Sequence, residues 1–391
     1  MIPPRRLAYL CSDPGIQADG HKGASVHFRE LARALRDRGA ELTPVMARGG
    51  RDAQRRLPGV RIAGTSSGEG VERELRALAS SSAQLDALLA AGPHDAVYER
   101  LSLFGVAGLA YAAPRKLPFA VEVNAPLWEE AERYRGLGLP RAARALAREV
   151  LDAATVVFCV SHALARALAQ DGVDDGKLAV LGNGVRLAAF DTAPVARRPA
   201  ALRDKPVLLF VGSLKPWHGL RFLCEAFAAA RRSRPLGLWI VGDGPEREVV
   251  AALAARFPDD VVVQGAVAHE DVPAIHRAAD VVVAPYGDDA PGYFSPLKVV
   301  EAIASRRRLL ASRVPAVCEA IGDAPGVVLH APDDAGGFAR ALDEQLAALA
   351  ATGPELEDSA FRRSLGWSER AAVVLERLGP PVRALRGTSA G

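Results

Sequence analysis

The chain has 391 residues, long for one hydrophobic core, so two domains, or at most three, are expected. With 49% hydrophobic and 24% charged residues it has the composition of an ordinary globular protein. Its 49 Lys and Arg against 46 Asp and Glu leave a net charge of +3, which excludes a protein that coats nucleic acid but not one that binds small anions. The four cysteines (Cys11, Cys159, Cys224, Cys318) show neither C-x-x-C nor His-paired spacing, so no metal site or disulfide framework is signalled and a reducing cytoplasm suits them. No stretch approaches 18 uninterrupted apolar residues, and the first ten lack the apolar region of a signal peptide.

The chain opens on an apolar strand at 7–11, a loop carrying Gly15, Gly20 and Gly23, and an amphipathic helix at 25–38. Strands follow at 41–45, 96–99, 119–123, 155–160 and 177–181, alternating with helices at 71–89, 103–113, 140–152 and 163–170. Such alternation predicts a parallel sheet with helices on both faces, whose ligands bind beyond the carboxyl ends of the strands. The loop is not G-x-G-x-x-G and no acid follows at dinucleotide spacing, so a plain NAD site is disfavoured. A Pro-, Ala- and Arg-rich stretch at 191–205 reads as a linker between residues 1–190 and a second alternation over 206–366. That second half predicts strands at 206–211, 237–241, 261–264, 280–284, 308–311 and 326–330. The fold class is α/β, with two Rossmann-like, doubly wound parallel-sheet domains facing a cleft.

The run Tyr293-Phe-Ser-Pro-Leu-Lys-Val-Val-Glu301 places a lone carboxylate just inside a predicted helix. Ser295 suits the N-cap and Pro296 the first helical position, so the free N–H groups of this turn favour an anion, phosphate above all. Glu301 shares a helical face with Leu297 and can accept hydrogen bonds from vicinal hydroxyls such as those of a ribose. The plainer alternative is a helix-stabilising acid with a solvated Lys298 beside it.

Residues 211–219 join the first strand of the second half to a helix. There Lys215 and His218 can donate to a diphosphate, and Gly212 and Gly219 allow close backbone approach, unless this is an ordinary loop with a surface lysine. The turn at 241–246 contains Gly242 and Gly244 and reads as structural, with a backbone able to line a nucleotide pocket. In the first half, Glu99, Arg100, Glu122 and Asn124 end two successive strands, and His27 stands in the first turn of the first helix. These are candidate substrate contacts, each of which could equally be a cap or a solvated surface group. Arg141, Arg144 and Arg148 share a helical face that offers weak contact to anionic lipid or is simply solvated.

Taken in order, Gly23-Ala-Ser-Val-His27, Gly182-Asn-Gly-Val185, Gly212-Ser-Leu-Lys-Pro-Trp-His-Gly219, Gly242-Asp-Gly-Pro245 and Ser295-Pro-Leu-Lys-Val-Val-Glu-Ala302 resemble the retaining nucleotide-sugar glycosyltransferases of family 4, which have the GT-B fold. The resemblance spans nearly the whole chain. Trp367-Ser-Glu-Arg370 resembles the family's opening of a final helix, here 367–391, that crosses back to the first domain.

The resemblance implies transfer of a sugar from a nucleoside diphosphate carrier, with retention and with neither metal nor cofactor. Lys215, His218 and Lys298 would stabilise the leaving diphosphate. Glu301 would bind the ribose, while Gly23, Ser213, Gly244, Tyr293, Ser295 and Leu297 would line the donor. His27, Glu99, Glu122 and Asn124 would stand on the acceptor side, the acceptor being a glycan, a lipid-linked molecule or a small molecule.

Three departures from the family pattern stand out. Tyr293 occupies the place of a donor-contacting Glu, Ser213 and His218 those of an Arg and a Lys, and Glu122-Val-Asn124 that of a histidine segment. We read them as substitutions that vary together. They also keep two alternatives open, a nucleotide-sugar epimerase of the same fold and a catalytically silent sugar-nucleotide-binding protein.

Overall fold

The structure is a computed structural model that describes residues 5–64 and 68–379. The chain divides into two compact units, Met1–Gly184 with Trp367–Gly391, and Val185–Gly366.

In the first unit the strands β1 (Arg6–Cys11), β2 (Glu41–Met46), β3 (Arg61–Ile62), β4 (Ala96–Arg100), β5 (Phe119–Val123), β6 (Val156–Cys159) and β7 (Leu178–Val180) form a parallel sheet in the order β3-β2-β1-β4-β5-β6-β7. β1 and β5 are buried along nearly their whole length because helices cover both faces, as unbroken apolar runs in a parallel sheet require. Tyr9 stacks on Phe28 at 3.8 Å between ring centroids and meets Tyr98 edge-on at 5.2 Å. The helix Trp367–Arg377 belongs to this unit, with Trp367, Ala371 and Val374 inside the core. Residues 380–391 of the predicted final helix lie outside the described residues.

The second unit contains β8 (Val207–Val211), β9 (Gly237–Val241), β10 (Val261–Gln264), β11 (Val281–Ala284), β12 (Arg308–Ser312) and β13 (Val327–His330), parallel and ordered β10-β9-β8-β11-β12-β13. Strand order reverses between β1 and β4 in one sheet and between β8 and β11 in the other. Such a reversal opens a crevice at the carboxyl ends of the two strands, where α/β sheets hold ligands.

Residues 191–205, read as a linker, are packed against the second unit. Leu202 is fully buried in its core, and Arg198 donates to the Ala278 carbonyl and to Asp280. Composition alone concealed these anchors. The helix predicted at 103–113 begins only at Ala107, because Phe104 adopts φ 63°, which a helix cannot contain. On the arginine face, Arg148 is spent within the unit, holding Asp152 at 2.7 Å and the carbonyls of Asp171 and Gly172. Among the described residues no helix is long and apolar enough to cross a membrane.

Candidate active site

In the second unit the crevice is built by three loops, one after each of β8, β9 and β11. The turn after β9 is fastened to the loop after β8: the Leu214 N–H donates to the Asp243 carbonyl at 3.0 Å, and the Glu246 N–H returns to the Leu214 carbonyl at 2.8 Å. Gly242 and Gly244 make this possible. A Cβ on Gly242 would stand 1.9 Å from the Gly212 carbonyl oxygen, and one on Gly244 2.8 Å from the Leu214 nitrogen. Gly219 is packed as tightly on the other side, where a Cβ would fall 1.5 Å from the Pro285 oxygen, and its φ of 70° is one that glycine tolerates best.

After β11 the chain runs through the half-buried Tyr293 and Ser295 into the helix Leu297–Ala304. The N-cap is Pro296, one residue later than expected, because its carbonyl accepts the first helical bonds, from Val299 and Val300. Ser295 therefore stands just outside the helix, and the N–H groups of Leu297 and Lys298 are in its first turn, where a helix has no internal acceptor to offer.

Lys298 is only 5% exposed, and its Nζ has no hydrogen-bond partner among the described residues. It lies 4.0 Å from the ring centroid of Phe210 and 4.8 Å from that of Tyr286. Each ring attracts an ammonium by about 0.5–2 kcal/mol. Burying one without a partner costs several kcal/mol, so desolvation wins. Burial pushes the Lys298 pKa well below the usual lysine range, against the pull of Glu301.

One turn further along the helix, burial pushes the Glu301 carboxyl up to about 7, with Lys298 opposing. Nδ1 of the half-buried His269 is 3.9 Å from Glu301 Oε1.

His218 is also buried, edge-on to Trp217 at 4.1 Å between ring centroids and to Tyr286 at 5.5 Å. Its Nδ1–H is given to the Ser213 carbonyl. Burial first, and then the nearby Lys298, push its pKa down to about 3, so the free protein holds a neutral ring whose Nε2 is an acceptor. The expected cationic donor is thus not present in the unliganded protein. Lys215 is exposed, with Nζ 5.4 Å from the Trp217 ring centroid.

In the first unit Glu122 is the hub of a buried polar network. It accepts from His27 Nε2 at 2.8 Å, the Tyr98 hydroxyl at 2.7 Å, Arg100 Nη1 at 2.7 Å and Asn124 Nδ2 at 2.5 Å. Burial alone would raise its pKa, but His27, Arg100 and Asn124 together hold it well below the carboxylate range. Four donors occupy both oxygens, so Glu122 orients its neighbours and has no free acceptor to offer a substrate. His27 Nδ1 meets Asn183 Oδ1 at 2.7 Å, and its ring packs edge-on against Trp367.

Glu99 does not join this group. Side chains alternate along a strand, so Tyr98 and Arg100 straddle it on the opposite face. Glu99 lies fully buried against Gly108, where a Cβ would stand 2.2 Å from Oε2, and burial pushes its pKa up to about 7. Gly23 is exposed and opens the helix Gly23–Asp37.

Sequence reasoning assigned no role to Phe210, Tyr286, His269, Tyr98 or Asn183. Strand alternation signals Tyr98 beside Arg100, whereas nothing local announces the others.

Residues 21–189 match the family described as Glycosyltransferase Family 4, and residues 205–348 match Glycosyl transferases group 1. The D-inositol 3-phosphate glycosyltransferase 2 of Catenulispora acidiphila is 28% identical over 98% of this chain and 97% of that protein. The alpha-D-kanosaminyltransferase of Streptomyces kanamyceticus is 31% identical, over 40% of this chain and 42% of that one. Among solved structures, the sucrose-phosphate synthase of Thermosynechococcus elongatus has a similar fold at TM-score 0.72 and 20% identity, covering 98% of this chain and 100% of that one. The Anabaena protein HepE, solved in complex with UDP, follows at TM-score 0.66 and 17% identity, covering 98% and 99%. Two parallel α/β units that match two glycosyltransferase descriptions in succession, together with fold relatives that span nearly the whole chain, make it a member of the GT-B glycosyltransferases of the family 4 and group 1 type.

Proposed function

We propose that this glycosyltransferase takes its sugar from a nucleoside diphosphate carrier, transfers it to an acceptor hydroxyl with retention at the anomeric carbon, and needs no metal. The observation that carries the donor reading is the buried Nζ of Lys298, without a hydrogen-bond partner among the described residues, in the first turn of a helix at the crevice between β8 and β11, with the Glu301 carboxyl one turn deeper. A diphosphate satisfies the amine and the free N–H groups, and a ribose satisfies the carboxylate. The complexes of HepE with UDP and with UDP-glucose support the same assignment. The relative named for D-inositol 3-phosphate supports a hydroxyl-bearing acceptor.

Stabilisation of the leaving diphosphate is then the main catalytic effect, with Lys298, Lys215 and backbone N–H groups taking the part that a metal ion plays elsewhere. The acceptor hydroxyl attacks from the side of the leaving group and passes its proton to a phosphate oxygen. In the first unit, His27, Arg100 and Asn124, oriented by Glu122, are the groups assigned to the acceptor.

The test is a thermal-shift screen of UDP, GDP, ADP and dTDP, in which a ligand at 100 times its Kd stabilises by about 2.7 kcal/mol. Glu301→Gln should weaken the nucleotide that binds by about 1.5–3 kcal/mol, as loss of a charged acceptor does, with the fold unchanged. Equal affinity in calorimetry removes Glu301 from the site. Turnover should survive EDTA, and magnesium-reversible loss of activity would refute the metal-free arrangement.

A further inference from the structure

We propose that Lys298 receives the donor's diphosphate by taking up a proton, so that the pocket binds the anion and the proton together. The inference rests on the nucleoside diphosphate reading above and adds the chemical state in which the site waits. In the free protein an ammonium here would have nothing to donate to: Nζ is buried, faces the rings of Phe210 and Tyr286, and meets no acceptor among the described residues. Two ring faces attract charge but accept no ordinary hydrogen bond.

Gly212 borders the amine. A Cβ placed on this residue would lie in ordinary contact with Lys298, 3.4 Å from Cε and 3.7 Å from Nζ. A phosphate oxygen arriving there meets the amine directly.

The other ionisable groups nearby do not already supply the charge. Glu301, three residues along the same helix, favours an ammonium but makes no hydrogen bond to it, and a further ionisable group near Glu301 is His269, with Nδ1 3.9 Å from Oε1. From the loop after β8, His218 is held neutral and Lys215 is exposed to solvent. From the loop after β11, Tyr286 contributes its ring, and burial keeps its hydroxyl protonated.

When the anion binds, the amine lone pair takes a proton from the buffer, and the resulting ammonium donates to phosphate oxygens. The cation is formed by the substrate instead of being carried at a desolvation penalty through the free state. The product nucleoside diphosphate bears one more negative charge than the sugar donor and holds this proton more firmly. Rising pH therefore favours product release.

Isothermal calorimetry at pH 8, in Tris and in HEPES, tests this with UDP, GDP, ADP and dTDP. At that pH the terminal phosphate, with a pKa near 6, and the Glu301 carboxyl, near 7, are already ionised. The observed enthalpy should change with the ionisation enthalpy of the buffer in the direction of proton uptake, by about half to one proton per nucleotide. Lys298→Arg, charged at any working pH, should bind without that dependence, whereas His218→Gln should retain it.

No buffer dependence in the wild type, or full dependence in Lys298→Arg, overturns the inference while leaving the donor reading in place. Failure of all four nucleotides to bind overturns both. Should the arginine variant not fold, the wild-type Kd between pH 8 and 9 decides: it should rise, approaching tenfold per pH unit for one proton, and a flat profile overturns the inference.

Discussion

At the scale of single residues the crevice of the second unit is defined by groups held away from their usual charge. The sign of each shift gives a separate pH signature. The His218 ring is held at about 3, chiefly by burial, below its unfolded value near 6.5. It therefore contributes stability that is present above pH 6.5 and lost as pH falls toward 3. Glu301, raised to about 7 by burial, behaves oppositely: its contribution is present below about 4.5 and is lost as pH rises through 7. Replacing His218 by Gln removes one proton from the balance, so the slope of unfolding free energy between pH 4.5 and 6.5 should fall by about 1.4 kcal/mol per pH unit. Urea denaturation at several pH values measures it, and an unchanged slope would show that the ring is not neutral in the folded protein.

Tyr293 carries a second residue-scale prediction. A phenol offers one polar oxygen and a ring face where a carboxylate would accept from two sugar hydroxyls, so Tyr293→Glu should shift kcat/KM toward fully hydroxylated donors over deoxy donors. An unchanged ratio would show that this side chain does not face the sugar.

The backbone frame of this crevice was legible in the sequence. Strand, glycine-bearing loop and helix recur at 206–232 and 280–304, and Lys298 and Glu301 fall on one short helix. The isolation of Lys298 was not legible, because it depends on Phe210 and Tyr286, brought together from β8 and the loop after β11 by the strand order. Glu99 shows the opposite case. Its period-two neighbours place it on the face away from Arg100, so its position near a strand end does not bring it to the polar network.

At the scale of elements, the loops after β8, β9 and β11 act as one body because glycines let their backbones touch. Gly219 is the tightest point, with its absent Cβ 1.5 Å from the Pro285 oxygen and a φ of 70°. Gly219→Ala must move one loop relative to the other, and that movement carries Trp217 and His218 with it. The expected result is a loss of about 1–3 kcal/mol of stability from backbone strain, together with a fall in nucleotide affinity out of proportion to the melting change. Gly39, with a positive φ but nothing within 4 Å of where a Cβ would stand, is the control: Gly39→Ala carries the strain of φ 87° alone and should leave affinity intact. Equal affinity loss in both variants would show that the loop contact does not shape the site.

At the scale of the whole chain, the two units have separate cores, and the first draws on both ends of the sequence. Trp367, 7% exposed, lies against His27 and Gly184, while Ala371 and Val374 pack with Tyr9, Phe28 and Leu31. The second unit, Val185–Gly366, contains the proposed donor groups and none of this cluster. A core cavity of tryptophan size costs about 3–5 kcal/mol, and each kcal/mol moves the melting point of a unit this large by about 2–4 °C. Trp367→Ala should therefore lower one calorimetric transition by roughly 10 °C, while the nucleotide found in the screen raises the other. The same variant should keep wild-type nucleotide affinity and lose turnover, because His27 and the Glu122 network lean on the missing ring whereas Lys298 and Glu301 do not. A single transition shifted by both the substitution and the nucleotide, or an affinity that falls with the ring, would show that the first unit's core is needed for donor binding.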